Sequence, residues 1–234
     1  MRYFFINEHL PADIRTALSV YGECIPLPPF SALPAPVSAH PDMLIANIGG
    51  TLIVHNEYQT GKKILSALGI PFVLSHTTVE NAYPNDVRLN CFAVGKSLFS
   101  GKSISEEAIV LAKEKELRTV FVRQGYTKCA AAIAGGVIAT ADKSIAKAAK
   151  NASIPTLLLC PEHIGIEVYD TGFIGGASVL LDDKTLGFFG DITLFSQYEA
   201  LRAFFGNYGI RLVSLGKDPL FDYGGAVSFD SRRA

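Results

Sequence analysis

A unit of apolar and polar segments occurs four times along the chain. Each copy has a short apolar segment, a two-residue turn, a second apolar segment, a helical segment and a third apolar segment. The turns lie at 49–50, 95–96, 135–136 and 183–184. Gly and Asp at these turns supply the positive φ angles that tight hairpins need. The unit recurs every ~40 to 48 residues, a spacing that is typical of propellers and other repeat arrays.

The starts of the predicted helices carry capping residues. Asn56 with Gln59, and Ser103 with Glu106, match the capping-box pattern, and Asp142 matches a single N-cap before the helix 143–151. These local signals agree with the strand and turn pattern around them. We therefore expect a helix between the second and third strand of each unit.

The two ends of the chain supply the parts of a fifth unit. Residues 2–6 predict a strand, 11–21 a helix and 24–27 an exit strand, while 225–229 predict the missing first strand. If 225–229 pairs with 2–6, the ring has no free sheet edge. The sequence thus predicts one α/β domain over residues 1–234, a five-bladed ββαβ propeller closed by its N- and C-terminal strands.

Composition narrows the functional classes. The chain is 49% hydrophobic, yet no uninterrupted apolar run reaches the ~18 residues of a membrane span. Polar residues interrupt the N-terminus where a signal peptide needs its apolar region, so we expect a cytoplasmic protein that does not bind membranes. The formal net charge of −1 and the scattered lysines give no basic stripe for nucleic acid. The sequence leaves the oligomeric state open.

Several familiar site motifs are absent. The four cysteines, 24, 91, 129 and 160, form neither a CxxC pair nor a disulfide framework. Gly101-Lys102-Ser103 lacks the preceding glycine of a P-loop, and the glycines at 172–176 do not match GxGxxG. His40 and Asp42 offer two metal ligands that nothing at a standard spacing completes. We predict neither a metal nor a cofactor.

Polar residues break the apolar pattern at one recurring position, just before the first strand of each unit. These segments are 38–42, 83–86, 125–129, 170–176 and 222–224. Five-fold placement of the units would bring them together around one axial channel.

This pattern resembles a known fold family. The five ββαβ units, with acidic and thiol groups before their first strands, resemble the pentein fold of guanidino-group-modifying enzymes. Within that fold, an uncharacterised bacterial family has similar strings at the positions of HPDM (40–43), YPNDV (83–87), GYTKC (125–129), GFIGGAS (172–178) and GDI (190–192). The resemblance implies a small cationic substrate, a cysteine that attacks the guanidinium carbon, a histidine that moves protons, and carboxylates that hold the cation.

The chain departs from the enzymes at the usual nucleophile. Val227 and Ser228 stand where the family has His-Cys near the C-terminus. Cys129 is the substitute that we predict, because the charge of Lys128 beside it would lower a thiol pKa. The alternative is a buried structural cysteine.

The remaining site residues follow from their positions in the units. His40 is the first candidate for moving protons, with a loop histidine as the alternative, and His163 is the second. The predicted substrate-binding residues are Asp42, Asp86, Asn90, Lys128, Gly175, Gly176 and Asp222. The alternative for each aspartate is a turn or cap residue that bonds its own backbone.

Two functions remain open at this point. One is a cysteine-dependent hydrolase or transferase that acts on a guanidino or amidino compound, like a deiminase or an amidinotransferase. The other is a non-catalytic binding protein of the same fold, such as a ribosome anti-association factor or a metabolite-binding protein. The missing C-terminal cysteine favours the second, and the clustered polar segments favour the first.

Overall fold

The computed structural model describes residues 1–232, which form fifteen strands and six α-helices. The strands are β1 Arg2–Asn7, β2 Glu23–Leu27, β3 Ile45–Ile48, β4 Thr51–His55, β5 Phe72–Ser75, β6 Cys91–Val94, β7 Ser97–Ser100, β8 Arg118–Phe121, β9 Ala131–Ala134, β10 Val137–Thr140, β11 Thr156–Leu158, β12 Ser178–Asp182, β13 Thr185–Phe188, β14 Arg211–Ser214 and β15 Ala226–Asp230. The helices are α1 Ala12–Ser19, α2 Pro41–Leu44, α3 Gln59–Ala67, α4 Glu106–Glu114, α5 Lys143–Asn151 and α6 Tyr198–Gly206. Two short 3₁₀ helices, Ala35–Val37 and Ile192–Leu194, lie in connecting segments.

The strands form five three-stranded sheets with one shared topology. We number the blades by chain order of their middle strands: blade 1 is β15-β1-β2, blade 2 β3-β4-β5, blade 3 β6-β7-β8, blade 4 β9-β10-β11 and blade 5 β12-β13-β14. In each, the middle strand pairs antiparallel with the first strand and parallel with the third. A parallel pair needs a crossover connection, which the helix of each blade provides.

The two ends of the chain meet in blade 1, as the sequence predicted. β1 pairs with β15 in an antiparallel register that places Phe5 opposite Val227 and Arg2 opposite Asp230. The Arg2 and Asp230 side chains also form an ion pair at 3.5 Å. This pairing confirms the closed five-bladed ββαβ architecture.

The hydrophobic cores lie between blades. Five clusters of buried side chains exist among the described residues, and each combines residues from two consecutive blades. In one of them Val227 and Phe229 of β15 pack with Leu52 and Val54 of β4. The first strands of neighbouring blades also contact each other, as β15 does with β3 and β12. The first strands therefore surround the axis of the ring.

One of the three predicted helix caps is confirmed. Asp142 caps α5, because its Oδ1 accepts from the backbone N–H groups of Ser144 and Ile145. The capping box predicted at Asn56 is wrong, since α3 begins at Gln59 after Tyr58 and has no side-chain cap.

The cap of α4 is also displaced from its predicted position. Ser105 caps this helix through the N–H of Ala108, whereas Ser103 lies two residues too early. The turn that starts at Gly101, where the N–H of Ile104 donates to the Gly101 carbonyl, places Ser103 before the helix start. Among residues 1–232, no helix combines the length and apolar character needed to cross a membrane.

We expect Phe229→Ala to weaken the whole fold by about 3–5 kcal/mol, because it empties a buried position shared by blades 1 and 2. Val110→Ala on α4 is the matched control, since Val110 is 56% exposed and should change stability by less than about 0.5 kcal/mol. Urea unfolding followed by circular dichroism measures both. Equal stability of the two variants would contradict a shared core at the closure.

Candidate functional site

The polar segments before the first strands meet at one end of the ring, where most of their side chains are buried. Cys129, which precedes β9, donates its thiol hydrogen to Oδ2 of Asp42 at 2.9 Å. Asp42 lies in α2, directly before β3, and both side chains are almost fully buried. Residues 87 positions apart in the sequence thus form one hydrogen-bonded pair.

Asn90 joins this pair from blade 3. Its Nδ2 donates to the Cys129 sulfur at 3.1 Å and to the Asp42 carbonyl at 3.2 Å. Its Oδ1 accepts from the backbone N–H groups of Lys128 and Cys129 at 2.7 and 3.3 Å. One amide therefore fixes the segments of blades 2 and 4 relative to each other.

Asp222 and His40 form the adjoining part of the cluster. The Asp222 carboxylate accepts from the N–H groups of Phe173 and Gly224 at 2.8 and 2.9 Å, and His40 Nδ1 lies 3.8 Å from Asp222 Oδ1. That separation suits an ion pair, but burial lowers the pKa of His40 to about 4. His40 is therefore neutral at pH 7, and its contact with Asp222 is not a charged one.

Burial also changes the acidity of the carboxyl groups and the thiol. It raises the pKa of Asp42 to about 7 and that of Asp222 to about 6, and the charge of Lys128 opposes both shifts. Burial and the two nearby carboxylates raise the pKa of Cys129 well above its ordinary value. The expectation that Lys128 lowers the thiol pKa is wrong. The charge of Lys128 acts on the carboxyl groups, and its Nζ donates to the Gly175 carbonyl at 3.3 Å.

Asp86 has a different partner from the other aspartates. Its Oδ2 accepts from the Tyr126 hydroxyl at 2.5 Å, and its Oδ1 has no hydrogen-bond partner among residues 1–232. The Tyr126 ring stacks between those of Tyr83 and Phe173. Tyr126 was not among the predicted site residues, although it stands inside the GYTKC string.

A cavity of about 320 Å³ lies along the axis between the first strands. Of the predicted site residues, Asp42 and Lys128 line it. Asn90, Cys129 and Asp222 lie in the buried cluster behind this lining, and Asp86 lies with Tyr126. The Asp42 Oδ1 atom has no hydrogen-bond partner among the described residues. The sequence favoured a shared lining of one concavity by Asp42, Asp86, Asn90, Cys129 and Asp222, but of these five only Asp42 reaches the axial cavity.

Other residues of the axial cavity were not predicted as site residues. Cys91 lines it from β6, and burial raises the pKa of this thiol to about 12. Asn47 and Ser228 also line it, and the Asn47 amide donates to the Ser228 carbonyl at 2.7 Å. Side chains alternate between the two faces of a strand, so every second residue of a first strand faces the axis. This alternation could have identified Asn47, Cys91 and Ser228 from the sequence.

His163 lies apart from this cluster. Its side chain is exposed, and its Nδ1 lies 3.1 Å from the Asp170 carbonyl oxygen. No contact between its ring and Cys129 or Asp42 exists among the described residues. The structure thus provides His40, and not His163, as the histidine of the buried cluster.

Gly175 and Gly176 have a packing role in the structure. A Cβ atom at Gly175 would lie 2.3–2.6 Å from the carbonyl oxygens of Ala131, Lys128 and Cys129. A Cβ at Gly176 would lie 1.8 Å from Asp222 Oδ1. The Gly176 N–H also donates to the Cys129 carbonyl at 3.0 Å. These glycines let the segment before β12 approach the backbone that carries Lys128 and Cys129.

Gly175→Ala should destabilise the protein by about 1–3 kcal/mol or more, because the added methyl group meets backbone atoms that cannot move independently. Gly206→Ala at the end of α6 is the control. A Cβ there meets nothing within 4 Å, so we expect no loss of stability and a gain of up to about 1 kcal/mol. Thermal unfolding of both variants tests the difference, and a Gly175 variant as stable as the Gly206 variant would contradict it.

The raised pKa of Asp42 predicts a pH-dependent effect of Asp42→Asn. The folded protein holds this proton up to about pH 7, whereas the unfolded chain releases it near 3.8. Stability therefore falls as the pH rises through this window, because the folded state binds more protons than the unfolded state. His40 and His55, with pKa values lowered to about 4, produce the opposite slope in both proteins. The variant should thus gain stability relative to the natural protein between pH 4 and 8, by about 2 to 4 kcal/mol.

Urea unfolding at several pH values measures this difference. The gap below pH 3.8, where Asp42 is protonated in the folded and in the unfolded state, serves as the internal control for any effect of the amide that does not depend on charge. Parallel stability curves for the two proteins would show that Asp42 is ionised in the folded state throughout.

Comparison with known proteins gives a matching family model and similar solved structures. Among curated proteins, none matches this sequence. A solved structure described as "SxtG an amidinotransferase from the Microseira wollei in Saxitoxin biosynthetic pathway" is similar to this chain with a TM-score of 0.49 and 12% sequence identity, covering 84% of this chain and 68% of the other. Similarity at this level assigns no function. A family model matches residues 5–227, and the chain therefore belongs to the family described as "Family of unknown function (DUF6873)".

Proposed function

We propose that the axial cavity binds a small guanidino or amidino compound and that Cys129 reacts with it, so that the protein is a cysteine-dependent hydrolase or transferase. The hydrogen bonding of one carboxyl group carries this proposal. Asp42 lines the cavity, its Oδ2 accepts from the Cys129 thiol, and its Oδ1 has no partner among residues 1–232.

The free oxygen supports a ligand with N–H donors. A buried acceptor without a partner costs about 1–3 kcal/mol, and a suitable donor recovers this energy. A guanidinium group offers several N–H donors in one plane together with a positive charge. Asp42 and Asp222 provide two carboxyl groups against the single ammonium group of Lys128. This balance favours a cationic ligand over an anionic one.

The same carboxyl group supports a reaction at the thiol. In the proposed first step the Cys129 proton passes to Asp42 Oδ2, and the thiolate attacks the central carbon of the bound group. The S–C bond forms, one C–N bond breaks, and the amine leaves with a proton. In a hydrolase, water then attacks the same carbon, the C–S bond breaks and the thiol is restored. In a transferase, a second amine replaces the water.

The ligand's own charge assists this reaction. The charges of Asp42 and Asp222 contribute to the raised thiol pKa, and a bound guanidinium would offset them. The Cys129 thiolate would then form only when the substrate is present. His40, neutral at pH 7 and beside Asp222, is the proton acceptor that we assign to the step in which water attacks.

A non-catalytic binding protein is the second candidate function. The state of Cys129 favours it, because the side chain is 3% exposed and its pKa lies well above the ordinary value. Val227 and Ser228 agree with this alternative, since neither supplies a nucleophilic thiol at the C-terminal position. In this case Asp42 holds the cation, and Cys129 serves only as a hydrogen-bond donor to Asp42.

Agmatine and arginine are the probes that separate the two functions. We expect the natural protein to bind one of them in calorimetry and to release ammonia from it. Cys129→Ala should keep the binding within about threefold and lose at least about a hundredfold in ammonia release. Asp42→Asn should lose both, and Cys160→Ala, which removes an exposed thiol outside the cavity, should lose neither.

Each outcome of this experiment decides between the functions. Binding without release of ammonia, and without transfer of the amidino group to added glycine, would establish the binding protein and exclude the enzyme. Ammonia release that survives Cys129→Ala would overturn the covalent mechanism. No binding of either probe would overturn the guanidino ligand.

A further inference from the structure

A second cavity, separate from the axial one, lies between blades 3 and 4. Its volume is about 760 Å³. It is bounded by residues 83–87 before β6, by the turn after β7, by the end of β8 with the residues that follow it, and by one face along the length of α5. No residue lines both this cavity and the axial one.

The charge of this cavity is entirely of one sign. Lys102, Arg123, Lys143 and Lys147 line it, and no Asp or Glu does. Within residues 1–232 none of these four side chains forms an ion pair. The whole chain has a formal net charge of −1, so four cations around one concavity are a local concentration of charge. Clefts of one sign attract ligands of the opposite sign.

The nearest carboxylate in the sequence, that of Asp142, does not line the cavity, and its single negative charge leaves the four cations in excess. Asp142 precedes Lys143, and its Oδ1 accepts from the N–H groups of Ser144 and Ile145 and from the Ser144 hydroxyl. These bonds occupy the helix terminus, so the attraction to an anion comes from the side chains. In the turn after β7, the backbone N–H groups of Lys102 and Ser103 have no acceptor among the described residues, and both residues line the cavity.

Two exposed aromatic rings complete the lining. Tyr83 is 57% exposed and Phe121 is 50% exposed. Tyr83 is held in place, because it stacks on Tyr126 at 5.8 Å and a Cβ on Gly125 would lie 2.5 Å from its ring. Flat apolar faces next to cations suit a ligand that has a ring at one end and phosphate groups at the other.

We propose that this cavity is a binding site for a small diphosphate-bearing molecule with a flat ring, of the nucleoside diphosphate type. Its four cations hold the phosphates, and Tyr83 and Phe121 contact the ring. The volume is within the range of about 300–1,000 Å³ that small-molecule sites occupy. The site is independent of the guanidino chemistry proposed for the axial cavity, since neither Asp42 nor Cys129 takes part.

Calorimetry with ADP, inorganic pyrophosphate and adenosine tests this site. We expect ADP to bind, and adenosine to bind at least about tenfold more weakly, because the phosphates provide the charge. The double variant Arg123→Gln/Lys147→Gln should weaken ADP binding by at least about tenfold. Raising NaCl from about 50 to 500 mM should weaken it as well, since salt screens exposed charges.

Lys63→Gln is the matched control. Lys63 is the fifth residue of α3, as Lys147 is of α5, and it is exposed and lies outside the cavity. It should leave ADP affinity unchanged within about twofold. Circular dichroism of each variant verifies that the fold is retained.

The pyrophosphate measurement distinguishes the source of the diphosphate. Tighter binding of ADP supports a nucleotide-like ligand, and a further loss in Tyr83→Ala would assign the ring contact. Equal binding of ADP and pyrophosphate would support the phosphate site and reject the ring contact. Absence of binding by both anions, equal binding of adenosine and ADP, or an equal loss in Lys63→Gln would overturn the proposal.

Discussion

The structure depends on hydrophobic cores that are shared between blades. Each of the five clusters of buried apolar side chains joins two consecutive blades. A single blade would therefore expose two apolar faces, and an open row of blades would still expose one at each end. Burial of apolar surface is the main favourable term in folding. Closure through β1 and β15 completes the last of these interfaces.

The same closure produces the buried polar cluster. The first strands surround the axis, so the segment before each of them ends near the same place. Buried charges are costly unless they have partners, and the partners are unequal here. Asp222 receives two backbone N–H groups, whereas Asp42 receives the Cys129 thiol on one oxygen and no partner among the described residues on the other. An incompletely satisfied group in an otherwise well-packed interior is typical of a functional site.

The electrostatic state of this cluster keeps the Cys129 thiol protonated. Two carboxyl groups and complete burial favour the neutral form of Cys129, and the ammonium group of Lys128 is used by the carboxyl groups and by the Gly175 carbonyl. A bound cation would favour the thiolate, because it would offset the two carboxyl charges that raise the thiol pKa. The proposed function therefore depends on a ligand that brings positive charge to the carboxyl groups of Asp42 and Asp222.

The sequence by itself determined the five-bladed architecture and which segments meet at the axis of the ring. Hairpin turns, strand periods and the Asp142 cap depend on residues a few positions apart, and the repeat placed Asp42, Cys129 and Asp222 at equivalent positions in their units. Caps at Asn56 and Ser103 were not determined, because several polar residues precede each of these helices. Only the tertiary structure decided which side chains pair. The contact of Cys129 with Asp42, the bond of Tyr126 to Asp86 and the close packing of Gly175 join different blades. The thiol pKa was mispredicted for the same reason, since it depends on burial and on charges from distant parts of the chain, which no local pattern records.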